Sequence, residues 1–120
     1  MFKRIYKLIF ALLLFAASGI LSAKVRFNEV LFSTSSPDEE FIELYNEGPG
    51  TVSLDNWQLS VNGDLLYIFP EGTSLAEGAY LLINIGDPAS PPANSISLEK
   101  TIAQLPDGGA ELLLINSSEL

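Results

Sequence analysis

The side chains of this sequence that could do chemistry are mainly carboxylates, because the chain contains neither histidine nor cysteine. The commonest general base, the thiol nucleophile and the usual zinc ligands are therefore missing. Acidic residues follow or occupy polar turns at Asp38, Glu39, Glu40, Asp87 and Asp107. Loop carboxylates are ligands that Ca²⁺ prefers, so these residues are weak candidates for a Ca²⁺ site. Neither an EF-hand spacing nor a calcium repeat is present, and solvated turn acids that keep the domain soluble are the favoured alternative.

Paired carboxylates could also catalyse the hydrolysis of a glycosidic bond, as they do in glycosidases. Glu40 and Glu43 are close in sequence, but their odd spacing along a strand places the two side chains on opposite faces. We expect Glu43 to pair with Arg26 or Lys100 instead. Because the chain also lacks a nucleophile motif and any sign of a large substrate cleft, the sequence predicts a protein that is not an enzyme.

Aromatic side chains could form a different kind of site, a platform on which sugar rings stack. Tyr45 and Tyr80 lie in segments with the character of strands. Such tyrosines are more often half-buried, with hydroxyl groups that reach water. Trp57 could also be an exposed ligand platform, but its alternation with Leu59 and Val61 favours a place in the core.

The first 23 residues have the architecture of a signal peptide. Three cations precede an uninterrupted apolar run over residues 8–17, and small residues end the segment at Ala23. An uncleaved membrane anchor over residues 5–21 is the alternative, because that run is only just long enough to span a bilayer. The sequence therefore predicts export, to the periplasm, the cell surface or the medium, with residues 24–120 as the domain.

The charge of the exported part limits its partners. The whole chain has a formal net charge of −9, with six cations and 15 acids. Three of the six cations lie in residues 1–23, so the remainder keeps three cations against 15 acids, a formal net charge of −12. Such a surface repels nucleic acids and anionic membranes. We therefore expect a protein or cell-envelope partner, no cofactor, and contact with a membrane only through an uncleaved N-terminal segment.

Beyond residue 24 the periodicity is that of short β-strands, with no amphipathic segment of helix length. The Asn62-Gly63 pair predicts a tight hairpin, and the nearly continuous apolar character of residues 79–85 favours a central strand. Residues 86–97 form the one long irregular stretch. The predicted strands are residues 25–32, 41–45, 51–54, 57–61, 65–69, 79–85, 97–105 and 111–115. Short strands with Gly and Pro turns indicate an all-β sandwich or barrel.

The core of this domain is predicted from strand alternation and the size of apolar side chains. Trp57 is expected at its centre, between two sheets. The residues expected around it are Phe41, Leu44, Leu59, Tyr67, Phe69, Leu82 and Leu113. Residues 25–32 fit this scheme poorly, because Glu29 alternates onto the same face as Val25 and Phe27.

Four segments together resemble the lamin tail domain family. They are Asn28-Glu29-Val30, residues 40–48 (EFIELYNEG), Trp57-Gln58-Leu59 with its hairpin, and a stretch with Phe69, Pro70, Leu75 and Gly78. The resemblance covers most of residues 25–115 and implies an immunoglobulin-like β-sandwich. Family members usually continue past a segment like residues 112–116 into one more strand, so we expect the domain to lack its last strand.

The resemblance also implies a function. Bacterial exported domains of this family look like non-catalytic units beside secreted or surface enzymes, including nucleases and phosphoesterases, and are thought to aid tethering. We therefore expect a binding or tethering module that mediates protein or cell-envelope interactions. The alternatives are a Ca²⁺- or carbohydrate-binding adhesion module, or an accessory domain fragment of a secreted hydrolase or nuclease.

Overall fold

The computed structural model describes residues 24–32, 40–86, 88–98 and 105–120. The strands in these ranges are β1 (Val25–Leu31), β2 (Glu40–Asn46), β3 (Val52–Ser53), β4 (Gln58–Val61), β5 (Asp64–Ile68), β6 (Ser74–Leu75), β7 (Tyr80–Ile85), β8 (Ser95–Leu98) and β9 (Leu112–Ile115). A short 3-10 helix, Ser117–Glu119, follows β9. Within the described ranges no helix is long and apolar enough to cross a membrane. The predicted signal segment, residues 1–23, lies outside them.

The strands form three sheets around one core. A four-stranded sheet has the order β1-β2-β7-β8, a three-stranded sheet has the order β5-β4-β9, and β3 pairs with β6. All pairs are antiparallel except β7 and β8, which are parallel. Apolar side chains from all three sheets meet in one buried cluster. The predicted all-β immunoglobulin-like sandwich is thus confirmed, and 79–85 is central as expected.

A β-bulge resolves the poor alternation of the first strand. Phe27 pairs with Leu44, and Glu29 pairs with Glu43, which is adjacent to Leu44 on the antiparallel β2. Two residues of β1 therefore advance against one of β2, and Asn28 is the extra residue. A bulge of this kind changes which side chains face inward on either side of it. Val25, Phe27 and Val30 consequently all pack against the core.

The fully buried core contains Leu44, Leu59 and Phe69, as predicted, and Phe69 is its largest side chain. The prediction that Trp57 forms the centre is wrong. Trp57 is only partly buried and packs against the buried cluster without belonging to it. The reason is its position just before β4, where its backbone bonds Leu54 and Phe69 and closes the end of the hairpin.

Three other core predictions are wrong because the side chains face away from the core. Phe41 and Leu82 alternate with the buried residues of β2 and β7, so they lie on the opposite side of the sheet. Leu113 is 43% exposed. It pairs with Ser60, whereas its neighbour Leu114 pairs with the buried Leu59. Adjacent residues of a strand point to opposite faces, and three consecutive leucines conceal which of them points inward.

The predicted strand over residues 97–105 is tested only at its ends, because residues 99–104 lie outside the described residues. Strand β8 begins at Ser95, inside the stretch predicted to be irregular, and ends at Leu98. The short β6 was not predicted. The Asn62-Gly63 hairpin is confirmed, with φ angles of 52° and 83°. The predicted lack of a strand after β9 stays a prediction.

Candidate functional site

The acidic residues considered for Ca²⁺ do not form a cluster in the described part of the chain. Glu40 is 5% exposed, and its Oε2 accepts a bond from the backbone N–H of Leu105 at 3.4 Å. Asp107 lies in an exposed turn. Asp38, Glu39 and Asp87 lie outside the described residues. Among those that are described, no three acids come close enough together to hold a metal ion.

A more distinctive surface is the side of the four-stranded sheet that points away from the core, which we call the outer sheet face. Its two central strands, β2 and β7, send alternate side chains to the core and to this face. Ile42 and Leu44 point inward, as do Leu81, Ile83 and Ile85. The outward set on these two strands comprises Phe41, Glu43, Tyr45, Tyr80, Leu82 and Asn84.

One row of this face is a stack of three side chains. Arg26, Tyr45 and Tyr80 are neighbours on β1, β2 and β7. The two tyrosine rings are 4.6 Å apart and inclined by 31°, and the Arg26 guanidinium lies 5.6 Å from the Tyr45 ring. Arg26 is held from its other side by Glu47, whose Oε1 is 2.7 Å from Nε. Tyr80, at the end of the stack, is 49% exposed as a residue.

The next row carries carboxylates. Glu29 and Glu43 are directly opposite on β1 and β2, an arrangement of like charges that destabilises a sheet. The side-chain amide of Asn28 donates to Oε1 of Glu43 at 2.7 Å, and so supports one of the two carboxylates. The predicted pair of Glu43 with Arg26 is wrong, because Arg26 binds Glu47; Lys100 lies outside the described residues. Glu40 and Glu43 do lie on opposite faces, as expected.

The third row contains Asn84, whose side-chain amide nitrogen has no hydrogen-bond acceptor among the described residues. Asn84 pairs with Phe41 on β2 and with Ser97 on β8. It is 6% exposed, and its Nδ2 has no hydrogen-bond partner in the described part of the molecule. A buried donor without an acceptor is costly, so such groups call for an explanation.

The sequence matches the family profile of the Lamin Tail Domain over residues 21–119. The chain belongs to the lamin tail domain family. This family consists of immunoglobulin-like modules that are not enzymes, in agreement with the all-β fold. No curated protein matches the sequence.

The conformation at the end of β2 in this lamin tail domain depends on a residue to which sequence reasoning assigned no role. Asn46 is fully buried. Its Nδ2 donates to the carbonyls of Gly50 and Leu75, both at 2.8 Å, and its Oδ1 accepts from Gly48 N–H at 2.8 Å. These bonds fix the turn that follows Tyr45 and thereby one end of the outer sheet face. The sequence does contain a signal for this role, because Asn46 is a polar residue in phase with the core-facing Ile42 and Leu44 of the same strand.

The other sheet of the lamin tail domain carries Tyr67, a partly buried tyrosine on β5. Burial raises the pKa of the Tyr67 phenol, because the charged form would lose hydration. The ring packs edge-on to Phe69, with centroids 5.1 Å apart. Tyr67 is therefore part of the packing around the core and is distant from the outer sheet face.

A small, open apolar groove lies beside the ends of β1 and β9. Its lining residues are Val30, Phe32, Leu105, Pro106, Ala110 and Leu112. None of these side chains carries a polar group. The groove therefore offers burial of apolar surface and no chemistry.

Proposed function

We propose that this lamin tail domain is an exported, non-catalytic module that tethers itself to a protein or to a component of the cell envelope through its outer sheet face. The observation that carries the proposal is the half-exposed Tyr80 ring, which is held in place by Tyr45 and Arg26. A rigid aromatic side chain on a protein surface offers a large contact area at a low cost in conformational entropy. Phe41 and Leu82, on the same face, extend that area.

Binding without catalysis is supported by the composition of the chain and by its family. The sequence has no histidine or cysteine, and lamin tail domains are not enzymes. We propose that the domain also needs no cofactor. The formal charge of −12 beyond residue 23 disfavours nucleic acids as partners, because an acidic surface repels phosphates.

Export is proposed from the N-terminal segment, and it can be tested directly. The full chain with a C-terminal tag would be expressed in a bacterial host, and the intact mass of the product in each cell fraction would be measured. We expect a product that begins at Lys24 and is found outside the cytoplasm. A product that retains residue 1 in the membrane fraction would instead support the uncleaved anchor, and one in the cytoplasm would contradict export.

Tethering is tested with the exported product and envelope fragments of the source organism in a sedimentation assay. The informative variant is Tyr80→Ser, and the matched control is Leu65→Ser, since Leu65 is 55% exposed on the other sheet. We expect Tyr80→Ser to lower the sedimented fraction and Leu65→Ser to leave it unchanged. Equal sedimentation of both variants and the parent would contradict a role for the outer sheet face.

A further inference from the structure

We infer that the outer sheet face binds a neutral polysaccharide chain. This inference rests on the proposed binding function and names the ligand class of the same face. A pyranose ring combines an apolar side of C–H groups with a rim of hydroxyl groups. The outer sheet face combines an exposed aromatic ring with hydrogen-bonding side chains in the neighbouring rows.

The aromatic part of the site is built before any ligand arrives. Tyr80 is held against Tyr45 with ring centroids 4.6 Å apart, and Tyr45 is in turn covered by Arg26. Little rotational freedom remains to be lost when a ring stacks on Tyr80, which lowers the cost of binding. The negative face of an aromatic ring also attracts the weakly positive C–H groups of a sugar.

The polar part of the site offers both acceptors and donors. Glu43 accepts one bond from Asn28, and a carboxylate has further lone pairs for hydroxyl groups. The amide of Asn84 lies just beneath the face with its Nδ2 unpaired among the described residues. A sugar hydroxyl that reaches it after a small side-chain shift would supply the missing acceptor. Ser97, the neighbour of Asn84 on β8, is exposed.

The charge of the face selects a neutral ligand. Glu29 and Glu43 stand opposite each other, and in the described part of the chain neither lies within salt-bridge distance of a cation. The nearest cation of the face, Arg26, is already neutralised by Glu47 at 2.7 Å. Uronic acids, sulfated sugars and phosphates would therefore be repelled.

The shape of the face favours a chain over a single sugar. Tyr80, Leu82 and Asn84 are successive outward residues of β7, so the three rows extend over about 13 Å. Because Asn84 is only 6% exposed, a polymer along this face would contact the rows of Tyr80 and Leu82 and reach the third row at the exposed Ser97. A monosaccharide would contact only one row, and we expect it to bind weakly.

The test uses the exported protein with chitin and cellulose as insoluble probes, and chitohexaose and cellohexaose as soluble ones, in pull-down assays and calorimetry. Alginate serves as the anionic comparison. We expect binding to at least one neutral probe and none to alginate. The affinity should fall about tenfold in Tyr80→Ala, since one stacked ring is lost, and be retained in Tyr80→Trp.

The control is Leu65→Ala on the other sheet, and circular dichroism shows that each variant is folded. The inference is overturned if no neutral probe binds, if Tyr80→Ala binds as well as the parent, or if Leu65→Ala loses as much affinity. Should Tyr80→Ser still reduce sedimentation with envelope fragments while no polysaccharide binds, the tethering function stands and the neutral polysaccharide is excluded as the ligand of this face.

Discussion

The side-chain amide of Asn46 donates a hydrogen bond to the backbone carbonyl of Leu75, 2.8 Å away. The bond joins the end of β2 to the end of β6, two elements of different sheets. Since the same amide also bonds Gly48 and Gly50, one buried side chain joins the end of β2, the turn at residues 48–50 and β6. The sandwich is therefore closed at this end by polar contacts.

Replacement of Asn46 by alanine should destabilise the protein by about 3 kcal/mol, because it leaves buried backbone groups without partners. The free energy of unfolding in urea measures the effect. Asn28→Ala is the matched control, since it removes an exposed amide with a single bond to Glu43; its cost should be about 0.5 kcal/mol or less. Equal losses for both variants would show that the Asn46 bonds contribute little.

Gly48→Ala should destabilise the protein by more than Gly72→Ala. Both glycines have positive φ, 81° and 84°, which costs an L-residue about 1–2 kcal/mol. Only at Gly48 would the added Cβ also meet the carboxyl group of Glu77. Urea unfolding of both variants measures the difference, and a Glu77→Ala background should reduce it. A larger loss for Gly72→Ala would contradict this explanation.

Tyr67 should make stability fall at alkaline pH. Burial raises the pKa of this phenol in the folded state, so the unfolded chain loses its proton first. The contribution of Tyr67 is complete below the unfolded value of about 10 and is lost as pH rises from there through the folded pKa. In thermal melts from pH 8 to 11.5, Tyr67→Phe should lose less stability than the parent. Parallel curves for the two proteins would argue against the linkage.

Leu59→Ala and Leu113→Ala should differ sharply although both replace a strand leucine. Leu59 is fully buried, and its truncation should cost about 2–5 kcal/mol. Leu113 is 43% exposed, and its truncation should cost about 0.5 kcal/mol or less. Denaturant unfolding separates the two outcomes. A large loss of unfolding free energy in Leu113→Ala would instead show that Leu113 contributes to the core.

Removal of Ca²⁺ with EDTA should leave the melting temperature of the exported protein unchanged. Glu40 bonds the backbone of Leu105, and the described acids form no group that could hold a metal ion. Differential scanning calorimetry with EDTA and with millimolar Ca²⁺ makes the comparison. A rise in melting temperature with Ca²⁺ would contradict this prediction and would support the Ca²⁺ site predicted from Asp38, Glu39 and Asp87.

Local patterns in the sequence were sufficient for the sandwich and for most of its strands. The alternation of residues 41–45 and the Asn62-Gly63 pair depend on the two-residue period of a strand and on backbone conformations with positive φ, which are properties of a few neighbouring residues. The family followed from segments of this kind, and so did the place of Leu44, Leu59 and Phe69 in the core.

Only the tertiary structure decided which side of the sheet a side chain points to where the local sequence pattern is ambiguous. The bulge at Asn28 turned Val30 toward the core, and the pairing with β4 turned Leu113 away from it. The parallel pairing of β7 with β8 and the meeting of Tyr45 with Tyr80 likewise depend on which strands become neighbours. Register between distant segments is chosen by the packing of the whole core, since a shift of one residue exchanges the two faces of a strand. The candidate site therefore depends on tertiary structure, because its residues are far apart in the sequence and meet only when β1, β2 and β7 pair.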